Sequence, residues 1–127
     1  MNELYLVGSA VYNLLKTNGS IDVYHSKAPQ SATADYALIY FVTSNDEYTF
    51  NDKGLSGDYQ LKVISSKNFP DSAIKMFGYL HSILQDANLT LPNYDSIRVR
   101  RQSTFMFEDT KHYWNVGGLY NIEIWQQ

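Results

Sequence analysis

The sequence predicts an α+β domain: a four-stranded, mainly antiparallel sheet with two helices packed on one face and a long hairpin joining the first two strands. Three observations carry this reading. Two segments repeat apolar residues at helical spacing, four others are extended and rich in β-branched and aromatic residues, and the order is helix, strand, strand, helix, strand, strand. Two helices and a sheet, each with one apolar face, bury those faces most economically as two layers around one core.

Residues 3–17 carry Leu4, Val7, Val11, Leu14 and Leu15 along one helical face, and Asn18-Gly19 follows where a helix end favours a left-handed residue. Ile21-Asp22-Val23-Tyr24 is a short extended piece, and 25–34, small and polar around Pro29, is a surface loop. The strand at 36–43 is apolar at both parities, so both of its faces need cover. Two helices on one side of a sheet cannot supply it on the other. Residues 45–57 hold strong turn chemistry, Asn51-Asp52-Lys53-Gly54 and Ser56-Gly57, yet also Tyr48 and Phe50; they predict a protruding aromatic arm. Tyr59, Leu61 and Val63 then alternate with Gln60 and Lys62 in a half-buried strand.

Pro70 and Asp71 suit a first helical turn, and Ala73, Ile74, Phe77, Leu80, Leu84 and Ala87 form the apolar stripe of the second helix, which Asn88 and Pro92 end. The last quarter, 95–127, reads as one long hairpin: a strand over 96–107, a polar turn at Glu108-Asp109-Thr110-Lys111, and a strand over 112–126.

At 127 residues the chain is expected to be a single domain, 1–127, with enough buried surface for one core. It has no cysteine, which removes disulfides and thiolate metal sites. No basic, apolar leader and no run of about 20 apolar residues is present, so the expectation is a protein made and used in a cytoplasm, without membrane. A formal charge of −3 argues against general nucleic-acid affinity. The 11 Tyr, 6 Phe and 2 Trp are more than one small core needs, and Tyr and Trp suit both interfaces and strands.

No pattern of catalysis emerges. His25, His81 and His112 are far apart in sequence and none sits in a metal-ligand spacing; His81, between Leu80 and Leu84, reads as a boundary residue. Asp46, Glu47 and Asp52 lack the longer alternation of a calcium loop. Gly117-Gly118 has no following helix, so it reads as a bulge or sheet bend rather than a phosphate cradle, and Gly8 signals close helix packing. The expectation is a non-enzyme without catalytic residues, metal or cofactor.

All three arginines fall at Arg98, Arg100 and Arg101. In an extended strand Arg98 and Arg100 share one face, while Ile97, Val99 and Arg101 share the other. They could pair with local acids, meet carboxylates of another subunit in bidentate pairs, or contact nucleic acid.

The succession Val11-Tyr12-Asn13-Leu14-Leu15-Lys16, Val23-Tyr24-His25, Ala28-Pro29-Gln30, Asp35-Tyr36-Ala37-Leu38-Ile39-Tyr40-Phe41-Val42-Thr43-Ser44, and a helix after Ser65-Ser66 resembles the tail terminator (tail completion, or tail-to-head joining) proteins of long-tailed bacteriophages. Asp35 stands where that family usually has a proline before the tyrosine. The resemblance implies a non-enzymatic virion subunit at the head-proximal end of the tail, assembled in the bacterial cytoplasm. Its implied partners are further copies of itself in a hexameric ring, the tail tube protein and the head connector. Within it, Tyr48, Phe50, Lys53, Arg98, Arg100 and Arg101 are expected to contact other subunits or the tube. The rival expectations are a neck or head-completion protein of the same kind of virion, and a small nucleic-acid-binding module using the arginine strand.

Overall fold

The computed structural model describes residues 2–18, 21–25, 27, 35–48, 53–85, 90–91 and 94–126; for 2–6, 18, 43–48, 53–56, 90–91, 94–98 and 124–126 it describes the backbone alone. The chain runs α1 (Asn2–Asn18), β1 (Val23–His25), β2 (Tyr36–Tyr48), β3 (Lys53–Ser65), α2 (Asp71–Leu84), β4 (Thr90–Leu91), β5 (Tyr94–Glu108) and β6 (Trp114–Gln126). The sheet order is β1-β2-β3-β6-β5-β4. Every pairing is antiparallel except β1 with β2.

The expected two-layer architecture holds, with one correction. The sheet has six strands rather than four. The four long ones are those the sequence marks, and the additions are edge pieces of three and two residues: β1, which falls on the extended piece read at 21–24, and β4. Strands that short carry too little alternation to be assigned to the sheet from sequence, and they join it because a long neighbour offers its backbone.

The long strands also outrun their sequence signals. β2 continues through Ser44-Asn45-Asp46-Glu47 to Tyr48, and β3 already begins at Lys53, in register Tyr48↔Lys53. Polar residues and Gly54 are held in the ladder there because β3 pairs with β6 on its other side, Gly54↔Trp125 and Ser56↔Glu123. Most of the expected protruding arm is therefore sheet. Its tip, including Phe50, lies outside the described residues.

α1 and α2 pack on one face of the sheet. Val7, Val11 and Leu15 from α1 and Ala73, Phe77, Leu80 and Leu84 from α2 meet Val23, Ala37, Ile39, Tyr59, Leu61, Val63, Val99, Val116, Tyr120 and Ile122. Each fully buried Leu, Ile or Val contributes about 1.5–3 kcal/mol of hydrophobic stabilisation. Gly8 lets α1 approach closely: a β-carbon there would lie 2.5 Å from His25 Nε2 and 3.6 Å from Tyr59. α2 starts on Pro70, whose carbonyl accepts from Ile74 N–H, and stops one turn before the expected end because Gln85 is extended, with ψ 126.

Gly117 and Gly118 are not bulges. The extra residues lie elsewhere, at Val42 in β2 and at Ile97 and Gln102 in β5. β6 begins at Trp114 rather than His112, because His112 takes a left-handed φ of 63° inside the turn. That turn is tied by Asp109, whose carboxylate accepts from Lys111 N–H, Tyr113 N–H and the buried Asn115 side-chain amide.

Candidate assembly surfaces

Cross-strand register sorts the side chains into two faces, because residues directly opposite each other lie on the same side of a sheet. The rows through Ile39–Leu61–Gly118 and Phe41–Tyr59–Tyr120 face the helices. The rows through Leu38–Lys62–Gly117 and Tyr40–Gln60–Leu119 face away, and no described helix or strand lies over them.

This open face is not uniformly polar. Tyr24 meets Tyr36 edge-on at 5.7 Å between ring centroids, and Phe105 stacks with Phe107 at 5.9 Å. Leu38, Tyr40 and Leu119 are half-buried among them. A central polar contact, Asn121 Nδ2 donating to Asp58 Oδ1 at 3.0 Å, joins β6 to β3. The apolar content at both parities of β2 thus has its structural counterpart: one side is core, and no described helix or strand covers the other.

Among the described residues, both sheet edges are unpaired over long stretches. β1 pairs with residues 37–39 of β2, and 40–48 have no described neighbour on that side. β4 pairs only with Tyr94 and Asp95 of β5, which leaves 96–108 similarly open. Long unpaired strands are templates for pairing with another chain. Apolar side chains stand exposed along them: Phe41 (39%) and Val42 (44%) on β2, Met106 (53%) and Phe107 (47%) on β5. The signal for the last two was present in the sequence, since Phe105-Met106-Phe107 puts apolar groups on both sides of one strand.

The arginines separate as the strand geometry requires. Arg101 lies in the helix-side row of Tyr120, with its side chain beside Gly118 and its N–H donated to Gln85 Oε1 at 3.3 Å. Arg100 lies in the open-face row of Asn121 and Asp58, and is exposed. Among the described residues neither forms an ion pair. Arg98 is paired through its backbone with Glu123, and the side chains of Arg98, Tyr48 and Lys53 lie outside what is described. The arginines and the β2–β3 arm are not one patch within a subunit: β3 and β6 stand between β2 and β5, three strand spacings or about 14 Å.

The titratable groups inside the fold do structural work. His81 Nδ1 and Tyr120 Oη are 2.7 Å apart beside the Phe77 ring, which leaves His81 at the boundary of the core. Burial pushes the Tyr59 and Tyr120 phenols well above their ordinary range, so both stay neutral. Among the described residues no three His, Cys, Asp or Glu side chains are grouped as a metal site requires. No described helix is long and apolar enough to cross a membrane.

The chain shares its fold with a virion protein. A solved structure described as the virion of a native gene transfer agent particle contains a chain that matches with TM-score 0.80 at 13% sequence identity, over 95% of this chain and 96% of that one. No protein-family model matches the sequence, and no curated protein is similar to it. The likeness therefore carries the whole-length architecture, helices and sheet together, and not the residues on its surfaces.

Proposed function

We propose that this chain is a phage tail terminator: a non-enzymatic subunit that forms a six-membered ring on the head-proximal end of the tail tube, ends tube growth and presents a surface to the head connector. One observation supports it above the others. Among the described residues the sheet lacks partners along much of both edges and carries aromatic and aliphatic side chains on part of its uncovered face, which suits a subunit completed by neighbours, and its fold recurs in a gene transfer agent virion, a phage-like particle. A head-to-tail ring uses two different patches on each subunit, as two unlike edges require. In this reading Tyr48, Phe50, Lys53, Arg98, Arg100 and Arg101 contribute contacts to neighbouring subunits or the tube, and the protein resides in the virion.

The test is tail assembly. Without the chain, a terminator's absence produces overlong tubes; normal tails on defective heads would instead identify a neck or head-completion protein. Each of the six residues is then changed to Ala. If every variant still caps tails at normal length and joins heads, those assignments are wrong.

A further inference from the structure

We propose that neighbouring copies join by antiparallel pairing of the open β2 edge of one with the open β5 edge of the next, in one register. That register sets Glu47 opposite Arg100, Asp46 opposite Arg101, Asn45 opposite Ser103, Ser44 opposite Thr104, Thr43 opposite Phe105, Phe41 opposite Met106 and Tyr40 opposite Phe107. The inference rests on the ring reading above and deepens it by naming the contact.

The two edges have the right sense. With β2-β3-β6-β5 alternating in direction, β2 and β5 run oppositely, so a rotated copy brings them together antiparallel. They also have opposite charge, Asp46-Glu47 on one and Arg100-Arg101 on the other, in a chain that carries no other arginine cluster. From the arm end towards the turn end, Glu47 and Asp46 precede Phe41 and Tyr40 along β2, while Arg100 and Arg101 precede Met106 and Phe107 along β5.

The register follows from matching both features at once. Within one sheet the row of Asp46 runs through Leu55 and Ile124 to Ser96, and the row of Arg101 runs through Tyr120. Bringing Asp46 against Arg101 is thus an offset of four rows, counted on β6 from Ile124 to Tyr120. An even offset keeps helix-side rows against helix-side rows. Every pair named above keeps the same four-row offset, because Val42 on one strand and Gln102 on the other are both bulged out of the ladder. No offset at all would put Asp46 against Ser96; an offset of two rows would put it against Val99 and leave Phe41 against Thr104.

Two boundaries agree with this register. The next pair would be Ile39 with Glu108, and Ile39 is where β1 begins to occupy the β2 edge while Glu108 is the last residue of β5. The stagger also suits closure. Four rows are about 13 Å along the strands and four strands about 19 Å across them, a tilt of about 35°, at the lower end of the range for closed barrels.

The absence of cysteine makes the test direct. In the full chain, Ser44→Cys with Thr104→Cys places one thiol on each edge; within a molecule they are at least about 14 Å apart, beyond disulfide reach. Mild oxidation is expected to give a ladder of covalent oligomers beyond dimer on a non-reducing gel, while either single variant stops at dimer or below. Asn45→Cys with Ser103→Cys is expected to do the same, and guards against one pair disturbing the fold. Asn45→Cys with Arg98→Cys reports the unstaggered register and is expected to give no ladder. Oligomers by light scattering with no ladder from either in-register pair, or a ladder from the unstaggered pair, overturn this register and leave the ring standing. A chain that stays monomeric at its highest soluble concentration and gives no ladder overturns edge pairing itself; the capping role is then decided separately by tail length.

Discussion

The ring of Phe105 lies over Gly117 on the adjacent strand, so closely that a β-carbon on the glycine would come within 2.7 Å of the ring's Cζ. The same carbon would also run into the Leu61 carbonyl oxygen, which is backbone and cannot swing away. An aromatic ring laid across a bare strand residue restores the packing a glycine forfeits, and here it also anchors Phe105 on the open face. Gly118, on the helix side, does the reciprocal service for Phe77, whose Cζ would lie 3.1 Å from an added β-carbon.

Gly117→Ala is therefore expected to destabilise the fold by about 2–3 kcal/mol, the scale of overpacking in a closely fitted site. Urea unfolding of the variant checks it. Phe105→Ala in the Gly117→Ala background should recover little, because the Leu61 carbonyl remains in the way.

The contact between His81 and Tyr120 predicts a smaller effect. Tyr120→Phe keeps the ring in the core and removes the hydroxyl at 2.7 Å from His81 Nδ1. The expected loss is about 0.5–1.5 kcal/mol, the net value of one such hydrogen bond. A loss near that of a core truncation would show that the hydroxyl does more than this contact.

His25 gives a pH dependence. Burial lowers its pKa below 6.5, so the folded state holds fewer protons on this ring than the unfolded state does. The stabilisation is fully present above 6.5 and is lost as pH falls from 6.5 through the lower folded value. Melting temperature is expected to drop across that interval, and His25→Asn to flatten the drop. Gly8→Ala, which would push into the His25 ring, should lower stability above the interval as well.

At the β5–β6 turn, His112 holds a φ of 63°, a conformation that costs a non-glycine residue about 1–2 kcal/mol. His112→Gly relieves that at the expense of unfolded-state freedom, so a net gain of up to about 1 kcal/mol is expected. Asp109→Ala should do the reverse. It removes the acceptor of two backbone N–H groups and leaves the Asn115 amide with only the Tyr113 carbonyl, for an expected loss of about 1–3 kcal/mol. Hydrogen bonds from Asn115 and Tyr113 hold the Asp109 carboxyl below its ordinary 3.8, so this contribution persists above 3.8 and fades only as pH falls below it. Thermal melts of the two variants at neutral pH check both signs.

Much of this architecture was legible in the residues. Val7, Val11 and Leu15 on one helix and Ala73, Phe77, Leu80 and Leu84 on the other recur at the helical period and all are buried; Tyr59, Leu61 and Val63 alternate and point into the same core. Period and side-chain chemistry are local, so the sequence alone determined two helices and four long strands. Its separation of Arg100 from Arg101 on opposite faces was likewise a matter of pleat alone.

Other features depend on neighbours far along the chain, and only the tertiary structure decided them. β1 and β4 join the sheet because β2 and β5 offer backbone to pair with, and residues 44–48 stay extended because β3 is itself clamped by β6. Gly117 is a seat for Phe105 rather than a bulge, which requires knowing that the two are opposite. Above all, which strands stand near the edges is a property of sheet order: beyond the short pairings with β1 and β4, β2 and β5 have no further partner strand among the described residues on their outer sides, and hydrogen-bonding groups left in that state are satisfied either by water or by another subunit.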